Sequence, residues 1–235
     1  GGVTRAHSVR YVPLHVLDND DGIIDNDTDG EPDIRAQIFS STGTQTAHLG
    51  NGSLGTNDFV VSTNDSDTLR VRAVLALSGG GFAVAYTEDL NGTNVRVRTF
   101  DNDGQVVRSF LPVTDSSTQN TREPEMAQLS DGRIVIAWIN VSQFGDRSVF
   151  TRILDDPGPS GSLGSTFSIT GVGDFDKISL APTADGGFVA AASSDNGETG
   201  AVFAVGVSHH AWRKQQYCKC RIDGDRRRYL VGELR

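Results

Sequence analysis

Cysteine is nearly missing from this chain of 235 residues: there are two, Cys218 and Cys220, close to its end. Everything before them is cysteine-free, so no disulfide staples that part. The Cys-x-Cys pair with His209 and His210 nearby is a thin set for structural zinc, which takes four tetrahedral nitrogen or sulfur ligands. Methionine is single, Met126, and the chain opens on glycine without a signal-peptide pattern, which reads as an internal piece of something larger. No apolar run is long enough to span a bilayer, and no segment carries a convincing amphipathic-helix period. Catalytic signatures are missing as well: no G-x-S-x-G elbow, no H-E-x-x-H helix, no phosphate-binding loop. His7, His15 and His48 have no partner pattern. These absences weigh against an enzyme. They do not close the question, because the convergence of two carboxylates across a glycosidic bond is not readable from sequence.

Basic charge is scarce where the chain is longest. The net charge is −9, from 21 basic and 30 acidic residues, but eight of the basic and only three of the acidic ones lie from His209 onward. The part before it keeps 13 basic and 27 acidic residues, a net of −14. Such a body repels nucleic acid and anionic membranes and attracts divalent cations.

What is plentiful is glycine, 27 copies, and repetition. Leu77-Ser-Gly-Gly-Gly-Phe-Ala-Val-Ala-Tyr86, Leu129-Ser-Asp-Gly-Arg-Ile-Val-Ile-Ala-Trp138 and Thr183-Ala-Asp-Gly-Gly-Phe-Val-Ala-Ala-Ala192 are versions of one motif. Phe82 to Ile134 is 52 residues and Ile134 to Phe188 is 54. That period belongs to propellers and repeat arrays, whose units bury their apolar faces only by stacking on neighbours. A second alternating run recurs in Asp33–Phe39, Asn94–Phe100 and Ser148–Leu154, followed by turn residues such as Asp101-Asn-Asp-Gly104. A third run is clearest at Val106–Val113. A fourth, as in Glu125–Leu129, precedes the next turn. Four short antiparallel strands per unit predict an all-β, propeller-like array of four-stranded blades over residues 1–208, about four units with the first incomplete. Residues 209–235 lose the repeat's composition and read as a tail that is non-native or disordered, without a pattern to pair it with the last strand, Ala201–Val207. Arg226-Arg-Arg228 would be the core of a nucleic-acid-binding alternative.

Tyr86 and Trp138 share one repeat position. Filling an interface between units is the expected role, with a ligand platform as the alternative, since Ala192 takes the third copy. The Gly79-Gly-Gly81 run sits where Asp131-Gly132 and Asp185-Gly186 sit, so it is expected to be a hairpin turn.

The segment from Leu17 to Asp33 is dense in aspartate. Asp25, Asp27, Asp29, Gly30 and Asp33 form D-x-D-x-D-G-x-x-D, in which alternate carboxylates wrap a hard cation and the glycine turns a following carbonyl inward. Calcium fits best, with Asp25, Asp27, Asp29 and Asp33 as ligands and Glu31 offering its backbone carbonyl. It is not an EF-hand: Ala36 stands twelfth from Asp25, where a bidentate Glu is required, and a strand pattern follows. A solvated acidic loop is the alternative.

The lines from "LSDGRIVIAW" and "VRVRTFDNDGQ" to "ADGGFVAAASSDNG" resemble, from about Asp25 to Val207, the tandem repeats of large secreted bacterial proteins of the haemolysin-type calcium-binding (RTX) kind. The nonapeptide of the calcium β-roll itself is absent. The acidic loop looks like those of FG-GAP propellers and thrombospondin type 3 repeats. Ser193-Ser-Asp195-Asn-Gly197-Glu-Thr199-Gly200 is similar to the Asp-box of sialidase-like propellers, with Gly200 in place of the aromatic residue. These resemblances imply a secreted or cell-surface calcium-binding module with an adhesion or structural role, its partner a cell-surface glycan or protein. The alternative is a sialidase-like or other glycan-active propeller.

Overall fold

The computed structural model describes residues 34–39, 42–44, 58–62, 70–89, 92–114, 120–169, 175–193, 201–207, 216–223, 226–227 and 230–231. Among these residues the chain is all-β, with no helix, and forms antiparallel sheets. β1 (Ile34–Gln37) and β2 (Asp58–Ser62) make a first, two-stranded sheet. A second joins β3 (Arg70–Ala76), β4 (Phe82–Asp89), β5 (Thr93–Phe100) and β6 (Val106–Pro112) in chain order. The third joins β7 (Asn120–Gln128), β8 (Ile134–Val141), β9 (Arg147–Leu154) and β10 (Phe167–Ser168) in the same way. In the fourth, β11 (Lys177–Pro182), β12 (Phe188–Ser193), β13 (Ala201–Val207) and β14 (Gln216–Asp223) run in order, and β15 (Arg226–Arg227) and β16 (Leu230–Val231) both pair with β14.

Two expectations are corrected here. The run Glu125–Leu129 does not close one unit: as β7 it opens the next sheet, because its Asp-Gly turn makes it the hairpin partner of β8. The tail does pair, since Gln216–Asp223 lies antiparallel to Ala201–Val207. Its sequence alternates Gln216, Cys218, Cys220 and Ile222 with Tyr217, Lys219, Arg221 and Asp223, a period of two that the clustered charge obscures.

Among the described residues one turn geometry is used five times. In the turns that begin at Leu77, Asp101, Leu129, Ser142 and Thr183, the first residue's N–H donates to the carbonyl four positions on, and the glycine three positions on donates back to the first residue's carbonyl. Those glycines, Gly80, Gly104, Gly132, Gly145 and Gly186, have φ of 96°, 75°, 93°, 89° and 85°. A three-residue hairpin with a left-handed glycine matches strand twist, which is why Gly recurs at this one position. Gly79-Gly-Gly81 is such a turn, as expected.

The sheets stack face to face, and alternation assigns each residue to an interface. Along β8, Ile134, Ile136 and Trp138 enter the core shared with the second sheet, while Val135, Ala137 and Ile139 enter the core shared with the fourth. Both faces are therefore buried, and each such Val or Ile contributes about 1.5–3 kcal/mol. Phe82, Val84 and Tyr86 pack on the first sheet with Ile34, Phe59 and Val61, and Phe188, Ala190 and Ala192 pack on the third. Equivalent residues thus face the preceding sheet in all three copies.

Candidate functional site

A cleft of about 700 Å³ lies at the turn ends of the second and third sheets. Four turns build it, contributed by Leu77–Gly80, Asp101–Asn102, Asp131–Gly132 and Asp155–Gly158. Polar bonds between the sheets fix its walls. Ser78 N–H donates to Gln128 Oε1 at 2.6 Å, and Gln128 Nε2 donates to the Gly132 carbonyl at 2.9 Å. Across the cleft, Thr99 Oγ1 donates to the Pro157 carbonyl and Arg108 Nη1 to the Gly158 carbonyl, each at 2.9 Å.

Its four carboxylates are already engaged locally. Asp101 Oδ1 accepts from the N–H groups of Asp103 (2.9 Å) and Gln105 (2.8 Å). Asp131 Oδ2 pairs with Arg133 Nε at 2.7 Å. Asp155 accepts from the Ser162 N–H at 2.5 Å and from its hydroxyl at 2.7 Å, which holds the Asp155 carboxyl below its ordinary value. Asp156 Oδ1 accepts from Gly158 N–H at 2.8 Å. These are side-chain mimics of backbone turns, the usual work of Asp at such places. Among the described residues, no three His, Cys, Asp or Glu side chains gather as a metal-binding group.

A second polar cluster lies inside the interface of the first and second sheets. Glu88, 1% exposed, accepts from the half-buried Arg96 Nε at 2.8 Å, and loss of Arg96 would leave the buried carboxylate uncompensated. Tyr86 is fully buried, and that burial pushes its hydroxyl upward, opposed by Ser62 and Arg98. Trp138, at the equivalent position, is 2% exposed and stacks on Phe150 with ring centres 6.4 Å apart. Both aromatics fill interfaces; neither is a ligand platform.

The expected calcium ligands Asp25, Asp27, Asp29, Glu31 and Asp33 lie outside the described residues. So does the Asp-box-like segment after Ser193. The sequence reading missed instead a repeated arginine. Arg98 stands opposite Val84, and Arg152 opposite the equivalent Ile136. Arg98 Nη1 donates to the Val61 carbonyl, and Arg152 Nη1 to the Val113 carbonyl at 2.8 Å. Each therefore ties its own sheet to the end of the preceding one. The signal lay in the "VRVRTF" and "VFTRIL" lines, in which Arg98 and Arg152 hold the same position.

No protein-family model and no curated protein matches the chain. Among solved structures it is similar to the Hadza microbial sialidase Hz136, at 11% identity and a TM-score of 0.45, over 68% of this chain and 43% of that one. The chain spans less than half the length of that protein. A likeness so distant carries nothing about chemistry.

Proposed function

We propose that this chain is a calcium-binding extracellular repeat module of a large secreted bacterial protein, a propeller-like array of four-stranded blades with an adhesion or structural role. The reading is supported best by how the repeat employs its distinctive residues. Its aromatics fill interfaces between sheets, its glycines and aspartates shape turns, and its arginines tie one sheet to the next. Residues so committed build a scaffold, and the acidic loop carries the ligand-directed pattern of the sequence. In this proposal Asp25, Asp27, Asp29 and Asp33 hold one Ca2+ with the Glu31 carbonyl, and the ordered array presents its surface to a cell-surface glycan or protein.

Titration calorimetry of calcium into the wild-type chain and Asp27→Ala tests the site. Binding to the wild type, weakened at least tenfold in the variant, is expected, together with a higher melting temperature in calcium, because the ion binds the folded state. Negligible heat with both chains would remove calcium from the proposal. Hydrolysis of a fluorogenic sialoside by the purified chain would replace the scaffold reading with the glycan-active one.

A further inference from the structure

The stacking has a direction. On β4 and β8 the face toward the preceding sheet carries bulky side chains, Phe82, Val84 and Tyr86 or Ile134, Ile136 and Trp138, while the face toward the following sheet carries smaller ones apart from Ile139. Ala83 and Ala85 of β4, and Val135 and Ala137 of β8, are all fully buried against the next sheet. On β7, Ala127 joins the same interface at 4% exposure. The fourth sheet repeats part of this surface: Val189, Ala191 and Ala181 stand where Val135, Ala137 and Ala127 stand, with Ser193 and Thr183 in place of Ile139 and Leu129, and Ala181 pairs with Val189 as Ala127 does with Val135. Yet Ala181 is exposed, and Val189 and Ala191 are only half-buried.

We infer that this outer face of the fourth sheet is a docking surface for a further sheet of the same repeat. The fit is defined by the interface that the same three residues already make in the third sheet, where Phe188, Phe175 and Leu180 cover them. The occupant therefore carries a bulky apolar side chain at the start of its second strand and others within and just before its first, as Phe188, Leu180 and Phe175 do. A flat Val/Ala surface accepts such side chains because sheets pack about 10 Å apart, a gap that one partner's large residues must fill when the other's are small. This rests on the repeat-array part of the proposal above and not on calcium.

The test extends the full chain after Arg235 by a second copy of residues 175–223, which brings its own Phe175, Leu180 and Phe188. The extended chain is expected to melt higher than the parent by about 4 °C or more, as an added repeat interface stabilises an array. Ala181→Arg in the original copy should erase that gain while leaving the unextended parent within about 2 °C, since its side chain is exposed there. Ala127→Arg, at the buried equivalent, should lower melting of both chains. Equal melting of extended and parent chains, or a gain that survives both Ala181→Arg and Ala191→Arg, would overturn the inference. The readout compares chains in one buffer, so it stands separately from the calcium result.

Discussion

Arg152→Met removes the tie between the second and third sheets while keeping an unbranched apolar stem. Arg152 Nη1 reaches the Val113 carbonyl at 2.8 Å, and Nε reaches the Gly164 carbonyl at 2.9 Å. Val113 is 1% exposed, so the first bond is made by a charged donor to a residue shut off from water, and its carbonyl has little chance of replacement by solvent. A hydrogen bond involving a charged group contributes about 1.5–3 kcal/mol, whereas an exposed one adds little. The loss should be about 2 kcal/mol, or roughly 4–8 °C in melting temperature for a chain of this size. Urea denaturation should show a lower midpoint at unchanged slope. Arg152→Lys, with one point charge in place of a planar fork, should recover part of the loss. A change under about 0.5 kcal/mol for Arg152→Met would refute the reasoning, and would mean that the apolar core alone sets how these sheets meet.

Two glycine substitutions should differ sharply. Gly132→Ala places a Cβ in open space at φ 93° and should cost about 1–2 kcal/mol of backbone strain; Gly81→Ala, at φ 80° with its Cβ built 2.1 Å from the Phe100 carbonyl oxygen, should cost about 3 kcal/mol or more by the same denaturation assay. Burial pushes the Glu125 carboxyl up. An acid whose folded pKa is raised stabilises below its unfolded pKa and loses that contribution as pH rises through the folded value, so Glu125→Gln should help stability at pH 7 and not at pH 3.5. Truncation after Ser208 strips β13 of β14 while leaving its pairing with β12, and should lower the melting temperature; an unchanged value would show that the β13–β14 pairing contributes nothing.

The central strands were legible because their apolar alternation is strong: β4, β8 and β12 follow the repeat motif, and β5, β6 and β9 follow the second and third runs. The glycine turns were legible for a similar reason, since the same position in each needs a left-handed backbone, joined in the first turn by Gly81. Grouping strands into sheets was not. Local pattern marks a hairpin but not the place where a chain leaves one sheet for the next, so β7 was assigned to the wrong neighbour. The tail was judged on net charge, and Arg226–Arg228 masked the alternation of Gln216–Asp223. The cleft brings Leu77 near Gly158, turns that meet only because two sheets stack, and no spacing announces that. Arg98 and Arg152 share the fifth position of the second runs, Asn94–Phe100 and Ser148–Leu154, but the carbonyls they reach, Val61 and Val113, lie on the preceding sheet or just after it, and only stacking brings those together.

In the second and third sheets every strand pairs with its immediate neighbour in the chain, and three-residue hairpins make most of the joins. Closing so short a loop takes little entropy, and the contacts that follow are local. Each sheet can zip up before the next has been synthesised, and each finished sheet then offers a surface on which the following one condenses. Assembly can therefore keep pace with a chain delivered gradually, from a ribosome or through a pore, without a distant segment having to arrive before the first strands find their partners.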